Sequence, residues 1–173
     1  MKQELKDKSR LLSKLLRHKP GDLPIDKMGW VPIISIMKKL NISQEELSEI
    51  VETNDKKRFA IEGEKIRASQ GHSINIDLGL KAEVPPFILY HGTGIKFLPF
   101  IMNQGIKKMN RQHVHLSIDM ETANKVGSRH GKNTILEVKS RHMHTDGIKF
   151  YKSENGVWLT EFVNPKYFIQ LII

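Results

Sequence analysis

Three short segments of this 173-residue chain place an arginine beside histidine and small residues. A guanidinium group presents a rigid fork of donors that matches two phosphate oxygens at once, and glycine lets a ligand approach the main chain closely. Taken singly, each segment is also typical of a charged surface. Together they predict a site for a phosphorylated substrate. The segments are residues 16–20 (Leu-Arg-His-Lys-Pro), residues 66–73 (Ile-Arg-Ala-Ser-Gln-Gly-His-Ser) and residues 127–131 (Gly-Ser-Arg-His-Gly).

Two further segments carry polar groups beside predicted strands. Residues 90–93 (Tyr-His-Gly-Thr) are expected where a strand ends and turns into a helix, and free backbone N–H groups there can hold a phosphate or a carboxamide. A tight turn with a structural histidine is the alternative. Residues 113–117 alternate as a strand, which places His113, His115 and Ser117 on one face. Two histidines at this spacing can bind zinc, but the sequence supplies no third ligand, so we expect no metal.

The composition favours a polyanionic partner. The chain has a net charge of +9, no cysteine, and ordinary fractions of apolar and charged residues. Such a charge favours nucleic acid first and an anionic membrane second, although it can also serve solubility alone. The lack of cysteine excludes disulfides and thiolate zinc sites. Neither an apolar run of about 20 residues nor a secretory signal is found, so we expect a cytoplasmic protein without a membrane partner.

The first half of the chain predicts three helices followed by a β-hairpin. Ser43 and Glu46 have the spacing of a capping box at the start of the third helix. Residues 58–61 and 65–68 alternate around Glu-Gly-Glu, which is typical of a hairpin. This order is that of a winged-helix module. The apolar positions of the first two helices are Leu5, Leu11, Leu12, Leu15 and Leu16 in one, and Ile33, Ile34, Ile36, Met37 and Leu40, expected to be buried, in the other.

The second half predicts a strand-rich α+β domain. Residues 77–86 have little periodicity and end in Pro-Pro, which is typical of a linker, so we assign residues 1–80 and 86–173 to two domains. Beyond the linker, residues 87–91 predict a strand, Asp119 is expected to cap a helix, and strands are expected over 134–138, 148–151, 156–160 and 167–172.

These segments together resemble the RNA 2′-phosphotransferases, the NAD-dependent enzymes known from tRNA splicing. The match is ordered and runs from about residue 10 to the C-terminus. Each motif is short, but eight in sequence are specific. They are Leu15-Leu16-Arg17-His18-x-Pro20, Asp26-x-x-Gly29-Trp30-Val31, Asn54-Asp55-Lys56-Lys57-Arg58-Phe59, Ile66-Arg67-Ala68-x-Gln70-Gly71-His72-Ser73, Tyr90-His91-Gly92-Thr93, His113-Val114-His115-Leu116-Ser117, Gly127-x-Arg129-His130-Gly131 and Asn155-Gly156-Val157-Trp158-Leu159-Thr160.

The resemblance implies a winged-helix RNA lobe followed by an ADP-ribosyltransferase-like lobe that holds NAD. It implies that the RNA 2′-phosphate attacks the NAD ribose and expels nicotinamide. The ribose 2″-hydroxyl then attacks that phosphate, which gives 2′-hydroxyl RNA and ADP-ribose 1″,2″-cyclic phosphate. Many protein-modifying ADP-ribosyltransferases resemble one another in having a catalytic glutamate at the position of Val157. The apolar residue here disfavours protein modification.

The resemblance also assigns the site residues. By motif match the catalytic residues are Arg17, His18, Arg67 and Arg129, and the residues that would hold NAD are Tyr90, His91, Gly92, Thr93, His115, Leu116 and Ser117. A monomer acting on a tRNA-like substrate is expected. Two alternatives remain: an ADP-ribosyltransferase that caps nucleic-acid phosphate ends, and an RNA-binding module without enzymatic activity.

Overall fold

The computed structural model describes residues 3–54 and 57–171. Within these residues the chain divides into two compact units, residues 1–79 and residues 80–173 by their outer limits. Asp55 and Lys56 of the third motif, and the last residue of the strand expected over 167–172, lie outside the described part of the chain. Helices and antiparallel sheets are mixed in both units, which confirms the predicted α+β class.

The N-terminal unit packs three helices on a small sheet. Its three strands are antiparallel in the order β1-β3-β2, and β2 and β3 form the predicted hairpin. The elements are α1 (Gln3–Arg17), β1 (Val31–Pro32), α2 (Ile33–Leu40), α3 (Gln44–Glu52), β2 (Phe59–Glu62) and β3 (Lys65–Ala68).

Local sequence accounts for most of these boundaries. The side chain of Ser43 accepts the Glu46 N–H at 3.2 Å while Glu46 accepts the Ser43 N–H at 2.9 Å, so the predicted capping box is confirmed. Such a cap stabilises a helix by about 1 kcal/mol. The expected burial of Ile34 is wrong, because its side chain is 70% exposed on the face of α2 that points away from the core. Leu11 of α1 is also exposed, since it lies one position off the buried stripe.

The C-terminal unit contains the remaining strands in three antiparallel sheets. The sheets have the orders β11-β7-β4, β6-β9-β8 and β10-β5. The elements are β4 (Leu89–Gly94), α4 (Leu98–Gln104), β5 (Ile106–Lys107), β6 (Val114–Leu116), α5 (Met120–Gly127), β7 (Asn133–Val138), α6 (Ser140–Thr145), β8 (Phe150–Lys152), β9 (Trp158–Thr160), β10 (Phe162–Val163) and β11 (Phe168–Leu171). Within residues 3–54 and 57–171, none of the helices has the length and hydrophobicity of a membrane span.

The strand is longer than predicted: β4 continues through residues 90–93 to Gly94, and the expected turn into a helix begins at Ile95. Gly92 pairs with Ile135 and Thr93 with Thr134 in the β4–β7 ladder, so both belong to the last part of the strand and not to the turn that follows it. Gly92 has a packing role instead. A Cβ at this position would lie 1.7 Å from the carbonyl oxygen of Ala123, so only glycine lets α5 approach β4 this closely.

Gly92→Ala is therefore expected to unfold or strongly destabilise the C-terminal unit. The new Cβ would meet the backbone carbonyl of Ala123, which cannot move aside as a side chain could. We therefore expect the free energy of unfolding to fall by more than about 3 kcal/mol. The chain has 2 tryptophans, Trp30 and Trp158. In a Trp30→Phe background, the fluorescence of Trp158 therefore reports the unfolding of the C-terminal unit alone. Gly156→Ala is the control: nothing lies within 4 Å of its Cβ and only the positive φ of +79° opposes it, at a cost of about 1 kcal/mol. Equal losses in the two variants would contradict the packing role.

Candidate functional site

The first candidate cluster lies where α1 ends. The last carbonyls of a helix have no partner within the helix. Here the carbonyl of Arg17 accepts the N–H of Ser73 at 2.9 Å and that of Ile74 at 3.4 Å. The Nδ1 atom of His18 lies 3.0 Å from Oγ of Ser73. The loop that follows β3 thus fixes the end of α1, and two segments that are far apart in sequence become neighbours.

Arg67 enters the same region from β3. It pairs with Ala60 across the hairpin, and its side chain is only 7% exposed. Its guanidinium lies 4.4 Å above the ring of Trp30 and donates to the carbonyl of Met28 at 3.4 Å. The turn that carries Trp30 is itself held by Asp26, whose Oδ1 accepts the N–H groups of Met28 and Trp30 at 2.9 Å. A cation–π contact of this kind fixes a guanidinium without neutralising its charge.

His72 is the buried centre of this cluster. It is 1% exposed, and neither ring nitrogen has a hydrogen-bond partner among the described residues. Burial, and to a smaller extent the positive charges of Arg17, His18 and Arg67, lower its pKa to about 4. The imidazole is thus neutral at physiological pH. His72 adjoins Ser73, which contacts both Arg17 and His18, and the charges of Arg17, His18 and Arg67 all act on its ring. These residues therefore form one positively charged region of the N-terminal unit.

The pKa of His72 predicts a loss of stability in acid. Above pH 6.5 the ring is neutral in both the folded and the unfolded chain; between pH 6.5 and about 4 only the unfolded chain binds the proton, so stability falls as pH falls. The difference between the pKa values of His72 in the folded and unfolded chain corresponds to about 3 kcal/mol of unfolding free energy. Denaturant unfolding followed by Trp30 fluorescence in a Trp158→Phe background measures it. His72→Gln is expected to flatten the dependence in that window. The same slope in His72→Gln and its parent would contradict the assignment.

The second cluster lies in the C-terminal unit, where β4 meets β6. Tyr90 and Ser117 exchange two backbone hydrogen bonds of 2.8 Å. His91 points its Nδ1 at the carbonyl of His115, 3.1 Å away. A carbonyl only accepts, so Nδ1 carries the proton. Burial lowers the pKa of His91, and the charge of Arg111 acts in the same direction, although the bond to His115 opposes them. Its neutral ring therefore has an acceptor nitrogen at Nε2.

Arg111 fixes His115 in a complementary way. Its Nη1 lies 2.6 Å from Nδ1 of His115. A guanidinium only donates, so Nδ1 of His115 accepts and the proton of a neutral ring resides on Nε2. The sequence analysis did not single out Arg111. Its position four residues before His115, in the loop that leads into β6, is the signal that could have identified it.

The remaining candidates are also in the C-terminal unit. Thr93 is buried, and Leu116 is buried within β6 between the two polar residues of its motif. Arg129 lies in a 3₁₀ turn at residues 128–130 directly after α5, and its side chain is exposed. The structure therefore groups Arg17, His18 and Arg67 in one unit. Arg129 and the residues assigned to NAD belong to the other.

Comparison with known proteins shows to which family the chain belongs. A sequence model described as "RNA 2'-phosphotransferase, Tpt1 / KptA family" matches residues 3–162. The chain belongs to this family. A protein of Flavobacterium johnsoniae named "Probable RNA 2'-phosphotransferase" is 51% identical over 168 residues, covering 92% of each chain. Proteins of the same name from Fusobacterium nucleatum and Acaryochloris marina are 50% and 46% identical, covering 91% and 99% of this chain and 94% and 99% of their own.

Proposed function

We propose that this protein removes an internal 2′-phosphate from RNA by transferring it to NAD. The products are 2′-hydroxyl RNA, ADP-ribose 1″,2″-cyclic phosphate and nicotinamide. Membership in the RNA 2′-phosphotransferase family supports the RNA substrate. The observation that carries the proposal is the positively charged region around His72. There the loop after β3 holds the end of α1 at Arg17 and His18, and Trp30 holds the guanidinium of Arg67.

This region suits a phosphate that carries about two negative charges. The guanidinium of Arg67 lies against Trp30, so its charge is positioned before the substrate arrives. The backbone of Arg17 is held at the end of α1 by Ser73 and Ile74. Charge accumulates on the phosphate oxygens during transfer, and a fixed donor at such a position contributes about 3–4 kcal/mol in comparable sites. His18 would donate a hydrogen bond to the phosphate or move a proton during transfer. The motif match alone supports Arg129 as the fourth catalytic residue.

The polar groups of the C-terminal unit fit NAD. Bound NAD supplies the ribose that accepts the phosphate. His91 has an acceptor at Nε2, suited to a ribose hydroxyl or an exocyclic amine, and Arg111 adds a positive charge suited to a diphosphate. Tyr90, Gly92 and Thr93 belong to β4 and Leu116 to β6, while Ser117 follows β6 and bridges to Tyr90. Gly92 acts there through packing. We therefore assign NAD to this unit, with an ADP-ribosyltransferase-like fold.

The N-terminal unit is proposed as a winged-helix lobe that binds RNA. Its order of three helices and a hairpin, with β1 added to the hairpin through β3, supports this assignment. The net charge of +9 supports a nucleic-acid partner, for example an RNA of the kind that tRNA splicing leaves with a 2′-phosphate. We expect the protein to act as a monomer in the cytoplasm.

An oligonucleotide with a single internal 2′-phosphate tests the proposal. The protein is incubated with this RNA in the presence and absence of NAD, and the RNA mass and the released nicotinamide are measured. The RNA is expected to lose its phosphate, with one nicotinamide released per phosphate lost, and only when NAD is present. The matched RNA with a 2′-hydroxyl is the control and should release no nicotinamide.

Three results would contradict the proposal. RNA that retains its phosphate while no nicotinamide forms would exclude the reaction. An ADP-ribosyl group retained stably on a phosphate end would indicate the capping alternative. Salt-dependent RNA binding without consumption of NAD would indicate a binding module alone.

A further inference from the structure

The loop that follows β3 connects two of the catalytic segments. Gly71, with a φ of +85°, turns the chain after Arg67 back toward the end of α1. There Ser73 and Ile74 donate their backbone N–H groups to the carbonyl of Arg17. This contact satisfies a carbonyl that the helix itself leaves open. The backbone of Ser73 is therefore held beside His18 independently of its side chain.

The side chain of Ser73 contacts the imidazole directly. Its Oγ lies 3.0 Å from Nδ1 of His18. A hydroxyl both donates and accepts, so this hydrogen bond persists whether the imidazole is neutral or protonated. A carboxylate at the same position would instead favour the protonated ring. Serine thus orients the ring without fixing its charge.

Orientation matters because an imidazole is asymmetric. The torsion that rotates the ring is broad and roughly two-fold, and a half-turn exchanges each nitrogen with a carbon. The bond at Nδ1 favours one of the two orientations. In that orientation Nε2 is the nitrogen on the opposite edge of the ring from Ser73.

We propose that Ser73 is the positioning residue of His18: its hydroxyl holds Nδ1, so that Nε2 is presented to the 2′-phosphate of RNA. This assignment rests on the proposed function. It gives the segment of residues 66–73 two roles, since Arg67 supplies charge and Ser73 orients the neighbouring residue. Ser73 itself does not touch the phosphate.

Steady-state kinetics of Ser73→Ala and Ser73→Thr test this role. Ser73→Ala is expected to lower kcat about fivefold to tenfold while the KM values for RNA and NAD change less than about twofold, because the ring spends less time in the productive orientation. Ser73→Thr keeps the hydroxyl and should restore kcat. Asn75→Ala, an exposed position two residues further along the same loop, is the matched control and should behave as the parent protein.

The nitrogen resonances of His18 provide a readout that does not depend on turnover. A long-range ¹H–¹⁵N spectrum, assigned by comparison with His18→Asn, separates Nδ1 from Nε2. In Ser73→Ala the Nδ1 resonance of His18 is expected to shift, whereas Ser73→Thr and Asn75→Ala should leave it in place. Thermal unfolding of each variant shows that the fold is retained.

The two measurements separate this inference from the proposed function. A parent protein without turnover would refute the proposed function, while the spectrum would still report whether Ser73 holds Nδ1. An unchanged Nδ1 resonance together with an unchanged kcat in Ser73→Ala would overturn the positioning role. A raised KM for RNA with an unchanged kcat would also overturn it, because Ser73 would then bind the substrate itself.

Discussion

Arg67→Ala is expected to lower kcat by a factor of about 10²–10³ while RNA affinity changes little. One fixed donor to a developing oxyanion contributes about 3–4 kcal/mol, which corresponds to this factor. RNA affinity depends on many phosphate contacts, so the loss of one charge changes it modestly. Single-turnover phosphate removal measures the first quantity, and binding to RNA with a 2′-hydroxyl measures the second.

Two further variants make this result specific. Arg67→Lys keeps the charge above Trp30 but loses the rigid fork, so we expect it to remain well below the parent rate. Arg58→Ala is the control, because Arg58 lies at the start of the same hairpin and contacts Asn54. Arg58→Ala should lower RNA affinity no more than Arg67→Ala does. It should leave the rate of phosphate transfer unchanged. A parallel loss of affinity and rate in Arg67→Ala would contradict a catalytic role.

Arg129→Ala should reduce turnover to a similar extent. Its side chain is exposed in the 3₁₀ turn after α5, and removing it leaves no cavity, so stability should be unchanged. A rate loss of about 10²–10³-fold without a change in Tm would support the catalytic assignment made from the motif. The measurements are nicotinamide release and thermal unfolding on the same samples.

Lys132→Ala is the matched control for Arg129→Ala. It removes one exposed positive charge three residues further along the chain. A general effect of charge would lower turnover in both variants, with a strong dependence on salt. Equal effects of the two substitutions would show that Arg129 contributes only to the electrostatic field of the unit.

Sequence alone predicted the features that short-range rules determine. The capping box of Ser43 and Glu46, the hairpin of β2 and β3, and the Asp119 cap of α5 all depend on a few neighbouring residues. The helical stripe of α1 was predicted except for Leu11. These features follow from hydrogen-bonding chemistry and periodicity within one element.

The remaining features depend on contacts between distant segments. Gly92 resembled a residue of a ligand-binding turn, but the need for glycine arises from Ala123 on another element. Ile34 follows the apolar pattern of α2 and is exposed nevertheless. The neutral state of His72 and the bond from Ser73 to His18 depend on how the loop after β3 packs against α1. No local pattern contains this information.

Label on the 2′-phosphate itself tests the proposed reaction most directly. RNA carrying ³²P only at this position is incubated with the protein and NAD, and the labelled products are separated. We predict that the label appears in ADP-ribose 1″,2″-cyclic phosphate, in the same amount as it disappears from RNA. Label released as inorganic phosphate, or label that stays on the RNA while NAD is consumed, would contradict phosphate transfer to NAD.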